Sequence, residues 1–222
     1  RRQDPRAGGD FAAAFAGVPS DLSFGGVKQI DPATAAALAD HAFGLSLAGL
    51  ATVDDETAAA LGRHRGNLVL NGLHALSAGA AKGLAANGHV LSLGRVDTVT
   101  PEIAEALGRH HAPLVLNGVK SLSPEAAAKL AASGAGLELN GMSALSDPVA
   151  AALAHHKGTL VLNGVRKLSP KAAESLTKHS GVVILRGLVD ADARTVGVLR
   201  TNPRILFPAK TQAKPAGRPS RR

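Results

Sequence analysis

Histidine is the residue in this chain with the most chemistry to offer, and it recurs at a regular place. His64, the pair His110-His111, the pair His155-His156 and His179 each follow a stretch rich in alanine and leucine. Imidazole ligates divalent metals and titrates near neutral pH, so a row of them suggests a metal site along one edge of the fold. The spacing argues against that reading. His110 and His156 are 46 residues apart, two turns of the repeat described below. Two strand spacings exceed the roughly 4 Å that separates ligands sharing a zinc ion. A histidine at a helix C-terminus is also favoured by the dipole and can bond last-turn carbonyls. No metal ligand is assigned. Ser123 and Ser169 stand at helix-capping positions, and Asp31, Asp54 and Asp147 at helix starts. Each candidate nucleophile or base thus has a structural task, no phosphate-binding glycine loop follows a strand, and neither catalytic residues nor a cofactor are assigned.

The elements that must hold these residues are legible in Pro113 to Gly134. Leu114 and Leu116 alternate with Val115 and Asn117, the period of a short strand with one buried face. Asn117-Gly118 breaks that strand, and Val119 and Leu122 lie under the bend. Ser123-Pro124-Glu125 is a helix start, with a capping hydroxyl, a proline at the first position and an acid suited to the dipole. Ala126, Ala127 and Leu130 share the inner face of the expected helix, and Gly134 is expected to close it in a left-handed conformation. Asn-Gly often marks a hairpin, but here a capped helix follows it, so the unit is strand, bend, helix and return.

The unit recurs. Asp21–Gly44, Leu45–Gly66, Asn67–Gly88, His89–Ala112, Ala135–Gly158 and Thr159–Gly181 repeat it, and a degenerate copy starts at Val182. One unit cannot bury its own apolar side, so about eight must stack into a solenoid. Residues 1–9 read as a disordered lead, and 10–20, with Phe11 and Phe15 on one side, as a capping helix. The solenoid runs over 21–208, and 209–222 reads as a basic disordered tail. The first residues are Arg1-Arg2 and the one methionine is Met142, as in a processed product or a fragment.

Charge adds a second constraint. The net charge is +8. Lys210, Lys214, Arg218, Arg221 and Arg222 supply five of these charges, and Arg1, Arg2 and Arg6 against Asp4 and Asp10 supply one, which leaves two for the repeats. There is no Trp or Tyr to stack on bases, so sequence-specific nucleic-acid recognition is not expected. No apolar run approaches the length of a membrane span, and no cysteine is present for a disulfide or thiolate site. Neither compartment nor oligomeric state can be read.

The pattern LxLxG[LV]xxLSxxxAxxLAxxxG, over about Asp21 to Pro203, resembles leucine-rich repeats of an alanine-rich bacterial type. It departs from the common motif where Leu73, Val119 and Val165 stand at the usual asparagine position. The resemblance implies parallel strands on a concave side, helices on a convex side, recognition on the sheet and no catalysis. Alternation turns the strand residues Val115, Glu138, Val161 and Ile184 outward, with Asn117, Asn140, Asn163 and Arg186 just beyond them. These eight are the candidate contacts for an unidentified protein partner on the concave face. The alternatives are a spacer within a larger protein, or a metal- or polyanion-binding surface.

Overall fold

The computed structural model describes Phe15, residues 18–209 and residues 211–214. The expected lead at 1–9, most of the expected cap at 10–20, and residues 210 and 215–222 of the expected tail lie outside these residues. Each unit opens with a two-residue strand: β1 (Leu22–Ser23), β2 (Leu45–Ser46), β3 (Leu68–Val69), β4 (Leu91–Ser92), β5 (Leu114–Val115), β6 (Leu137–Glu138), β7 (Leu160–Val161) and β8 (Val183–Ile184). A further strand, β10 (Ile205–Leu206), follows the degenerate copy. These nine make one parallel sheet in sequence order. From Leu22 through Leu114 to Ile205, the first strand residues are Cα partners in strict register. The N–H groups of Leu114 and Leu116 donate to the carbonyls of Gly136 and Glu138, each at 2.8 Å, and the same two bonds recur at every step.

The returns are short helices: α1 (Pro32–Ala39), α2 (Asp55–Leu61), α3 (Ala78–Leu84), α4 (Pro101–Leu107), α5 (Pro124–Leu130), α6 (Asp147–Leu153), α7 (Pro170–Leu176) and α8 (Ala193–Leu199). The described residues thus form an α/β solenoid of alternating strands and helices. Seven of the helices start on a side-chain cap. Asp31, Asp54, Ser77, Thr100, Ser123, Ser169 and Asp192 each accept from the N–H three residues on, at 2.6–3.4 Å. Ser146 makes no cap bond, and Asp147 beside it accepts from Ser169 Oγ instead. The N–H bonds from Thr34, Thr57 and Thr195 hold the carboxyls of Asp31, Asp54 and Asp192 below their ordinary pKa. Those caps therefore persist until the pH falls through the ordinary carboxylate range.

Between sheet and helices lies one continuous core. Strand leucines such as Leu114 and Leu116, the bend residues Val119 and Leu122, and Ala126, Ala127 and Leu130 of α5 supply one coil's share of it. Alanine at the inner helix positions lets a seven-residue helix lie close to the sheet, and leucine fills the remaining depth. No helix of the described residues is long and apolar enough to cross a membrane. At the first coil Phe15 packs edge-on to Phe24, with ring centroids 5.4 Å apart, and both rest against the core.

The far end corrects the expected tail. Gln212–Lys214 form a strand, β11, which pairs in parallel with β9 (Asp190–Asp192) through Gln212↔Asp190, Ala213↔Ala191 and Lys214↔Asp192. Bridges from Ala144 to Lys167 and from Lys167 to Asp190 continue this second ladder along the bends before the helices. The basic composition concealed it, because strand pairing engages the backbone and is largely indifferent to which side chains face water.

The helix ends are a second correction. No described glycine has a positive φ. Helix α5 closes at Ala131 with φ −64° and ψ −15°, in right-handed geometry, and Gly134 has open space around it. Glycine is needed elsewhere, where coils touch. A β-carbon on Gly164 would lie 2.0 Å from the Asn140 carbonyl oxygen, and the same conflict recurs at Gly49, Gly72, Gly118, Gly141 and Gly187. Arg95 is the exception, in the coil whose bend carries Gly94 one position earlier. Gly164→Ala is expected to cost about 1–3 kcal/mol through overpacking. Gly134→Ala should be neutral or stabilise by up to about 1 kcal/mol, since the change only restricts the unfolded chain. Urea denaturation of the two variants checks this, and equal shifts in midpoint would contradict it.

Candidate functional site

The outward side of the sheet brings the predicted strand residues together. Val69, Ser92, Val115, Glu138, Val161 and Ile184 are consecutive Cα partners, one to a strand, at steps of about 4.8 Å. Val115, Glu138, Val161 and Ile184 are half-buried, as a side chain on an open sheet face should be. The column continues to Leu206, the partner of Ile184, which is 45% exposed. Sequence reasoning does not include Leu206 among the site residues, although the alternation that turns Ile184 outward, applied to Ile205-Leu206-Phe207, would have found it.

The second predicted column has a structural role that sequence reasoning left open. Asn117 Oδ1 accepts from the Asn140 N–H at 3.0 Å, Asn140 Oδ1 from the Asn163 N–H at 2.9 Å, and Asn163 Oδ1 from the Arg186 N–H at 3.0 Å. Asn71 Oδ1 does the same for the Gly94 N–H at 2.7 Å. An asparagine ladder therefore exists, displaced from the position at which the repeat motif would place it. Val119 and Val165, which occupy that position, are fully buried. The ladder ends at Arg186, whose guanidinium has no acceptor to offer the next coil. Glu138 is held within it, since both Asn117 and Asn140 direct their Nδ2 toward its Oε2 at 3.4 Å.

The histidines lie elsewhere and are mostly hidden. His41, His64, His110, His156 and His179 share one column in the turns after the helices, completed by Asn87, Ser133 and Asn202. All five histidines are at most 2% exposed, whereas His111 and His155 face solvent. The spacing argument needs correcting, because members of the column also sit on neighbouring coils. The His41 and His64 rings stack 6.3 Å apart, and those of His156 and His179 are 5.9 Å apart. Their bonds reach the preceding coil and not their own helix. His41 Nε2 donates to the Ser20 carbonyl at 2.9 Å, and His110 Nδ1 lies 3.3 Å from that of Ala85. Ser133 and Asn87 do likewise, donating to the carbonyls of His110 and His64 at 3.0 and 2.7 Å. His179 Nδ1 accepts from the Gly181 N–H at 2.9 Å, which requires that nitrogen to be unprotonated.

Several ring nitrogens, among them both of His64 and both of His156, have no hydrogen-bond partner of good geometry. Burial is the main force on these groups and pushes the pKa of His64, His110, His156 and His179 below the ordinary value. Among the described residues no three His, Asp or Glu side chains are placed to hold a metal ion. The chain matches no family model and none of the curated proteins.

Two outcomes are expected. Between the depressed folded pKa values and the unfolded value near 6.5, the unfolded chain binds more protons, so stability falls as pH drops from about 7.5 toward 5.5. The slope is up to about 1.4 kcal/mol per pH unit for each histidine that protonates only on unfolding. His156→Asn, which imports the residue found at Asn87, should flatten this slope in chemical denaturation, and a wild-type profile level over that range would refute the buried neutral column. Asn140→Ala should cost about 1 kcal/mol by removing the acceptor of the Asn163 N–H, and a urea midpoint equal to that of the wild type would contradict it.

Proposed function

We propose that the chain is a non-catalytic protein-interaction module of the leucine-rich-repeat kind, which holds a partner protein on the outward face of its sheet. The supporting observation is the group Val161, Ile184 and Leu206. Three apolar side chains stand on consecutive strands, within about 10 Å of one another, whereas Val69 and Val115 stand singly between Ser46, Ser92 and Glu138. They have the size and position of an interface anchor, with Arg186 and Glu138 as its charged margin. The asparagine ladder fixes the backbone beneath them, so the surface is organised before a partner arrives and loses little entropy on binding.

Two further observations support the same reading. The hydroxyls and carboxylates that could serve as nucleophile or base cap helices and leave no convergent set. The repeat pattern, with its strand leucines, resembles leucine-rich repeats, in which recognition lies on the sheet. A spacer would not need an exposed apolar group at one end of that sheet.

The test is comparative capture with cross-linking from the source cells. One bait is the wild type, the second carries Val161→Glu, Ile184→Glu and Leu206→Glu, and the third carries three equivalent changes on exposed helix positions, Ala59→Glu, Lys82→Glu and Ala128→Glu. A protein retained by the first and third baits and lost at least tenfold by the second would place recognition on the sheet. Equal recovery by all three, with circular dichroism showing each folded, would remove the proposal.

A further inference from the structure

Seven of the seventeen cations in residues 21–208 lie on one edge, and what sets that edge apart is that almost no acid accompanies them. Arg63, Arg65, Lys157, Lys178, Arg200 and Arg204 all lie in the turns that follow helices, and all are exposed. None forms an ion pair among the described residues. Arg109 adds a seventh charge, shared with Glu105 at 3.1 Å. No Asp or Glu occurs in any of these turns from the second coil to the eighth, at 62–67, 85–90, 108–113, 131–136, 154–159, 177–182 and 200–204. The acids on this edge lie at its first-coil end: Asp21, which accepts from the Gly44 N–H at 2.8 Å, and Asp40, which borders an open groove with Arg63 and Arg65. Among the other carboxylates, Asp31, Asp54 and Asp192 cap helices at the opposite edge. Helix C-termini contribute partial negative charge to the basic edge, but the helices are short and this offsets only part of it.

We propose that this edge binds the phosphate backbone of a nucleic-acid duplex without reading its sequence. The second to eighth coils span six strand spacings, about 29 Å, which matches about eight phosphates along one strand of a duplex. Unpaired arginine and lysine at this density release counterions on binding, which is the main source of sequence-independent affinity. In those coils the edge carries no Phe, Tyr or Trp on which unpaired bases could stack, and its exposed rings are the imidazoles of His89, His111 and His155, so phosphate contacts outweigh stacking and a duplex is favoured over a single strand. It also lacks an apolar group to enter a bilayer. The exposed large hydrophobics of the described residues are Phe43, Val189 and Leu206, and only Phe43 is near this edge, in the first coil with Asp40. β11, and with it the backbone of Lys214, lies on the opposite, helix-start side.

The experiment is fluorescence anisotropy with a labelled DNA duplex of arbitrary sequence, about two helical turns long, between about 50 and 200 mM salt. The edge variant carries Arg65→Gln, Lys157→Gln, Lys178→Gln and Arg200→Gln. A control removes the same charge from the helix-start edge, through Lys28→Gln, Lys120→Gln, Arg166→Gln and Lys171→Gln. A second control does so at the C-terminus, through Lys214→Gln, Arg218→Gln, Arg221→Gln and Arg222→Gln. The edge variant should lose affinity at least tenfold at the lower salt, and its slope of log K against log salt should fall by about three. Both controls should stay within about threefold of wild type. Equal losses in all three variants would mean that net charge alone acts, and would overturn the proposal. So would wild-type binding to vesicles of anionic lipid without binding to the duplex, or binding to neither.

Discussion

In-register parallel pairing of one short strand per coil governs this fold. Because Leu22, Leu45, Leu68 and their successors are Cα partners, every residue that follows them in the unit also falls in register from coil to coil, at about 4.8 Å along the sheet and more widely at the helices, whose packed axes need about 8–10 Å. Each position of the repeat becomes a column with a single environment along the molecule. A leucine in the strand column is buried wherever it occurs, and a glycine in the bend column meets the carbonyl of the coil before it. The tolerance of a position is therefore a property of its column, and a residue out of keeping with its column has to be accommodated by the coils on either side.

Polar columns show what this demands. A buried polar group must find its partner on its own coil or an adjacent one, since nothing else is within reach. The column that contains His41, Asn87, Ser133 and His179 meets this with residues of different size that make similar bonds. Asn87 and Ser133 donate to a carbonyl one coil back, His41 does so through Nε2, and Asn202 reaches the Thr177 carbonyl at 2.9 Å. Shared geometry explains why His, Asn and Ser interchange there. The histidines differ in one respect, because each keeps at least one ring nitrogen buried without a well-formed hydrogen bond. Their neutrality is thus part of the packing, and protonation opposes it. The outer asparagine ladder uses the same one-coil reach for backbone N–H groups, and it ends at Arg186, whose side chain cannot accept.

The main elements of this structure were legible in the sequence because they have local causes. Strand alternation, the capping residues at Ser123 and Ser169 and the inner face of Ala126, Ala127 and Leu130 all operate within one unit, and the structure places them accordingly. The misreadings arose where the cause lies in the next coil. Gly134 resembles a helix-closing glycine, but helix α5 closes before it, and the indispensable glycines are those whose clearance is set by a neighbouring carbonyl. The histidines were located correctly along the helix, but their direction depends on the coil against which they pack. Lys214 looks like part of a basic tail until the ladder through Lys167 and Asp190 extends to Gln212. Of the candidate site, the outward strand column was readable from alternation, whereas the hydrogen bonds that occupy the asparagines required the register between coils.

Columns with a structural duty can vary little, so function has most freedom where no duty is imposed. The strand leucines, bend glycines, helix alanines and buried turn column each have contacts to satisfy. The outward strand column has few, and its composition varies accordingly, from Ser23 and Ser46 through Val115 and Glu138 to Ile184 and Leu206. The exposed turn positions after the helices are similarly free, and there the variation is in charge, from Asp40 to Arg65, Lys157 and Arg200. The two surfaces lie on different sides of the same coils and share no side chain. Each could therefore change without disturbing the other or the core, and a single repeated unit can present an apolar contact on its sheet and a basic track along its edge.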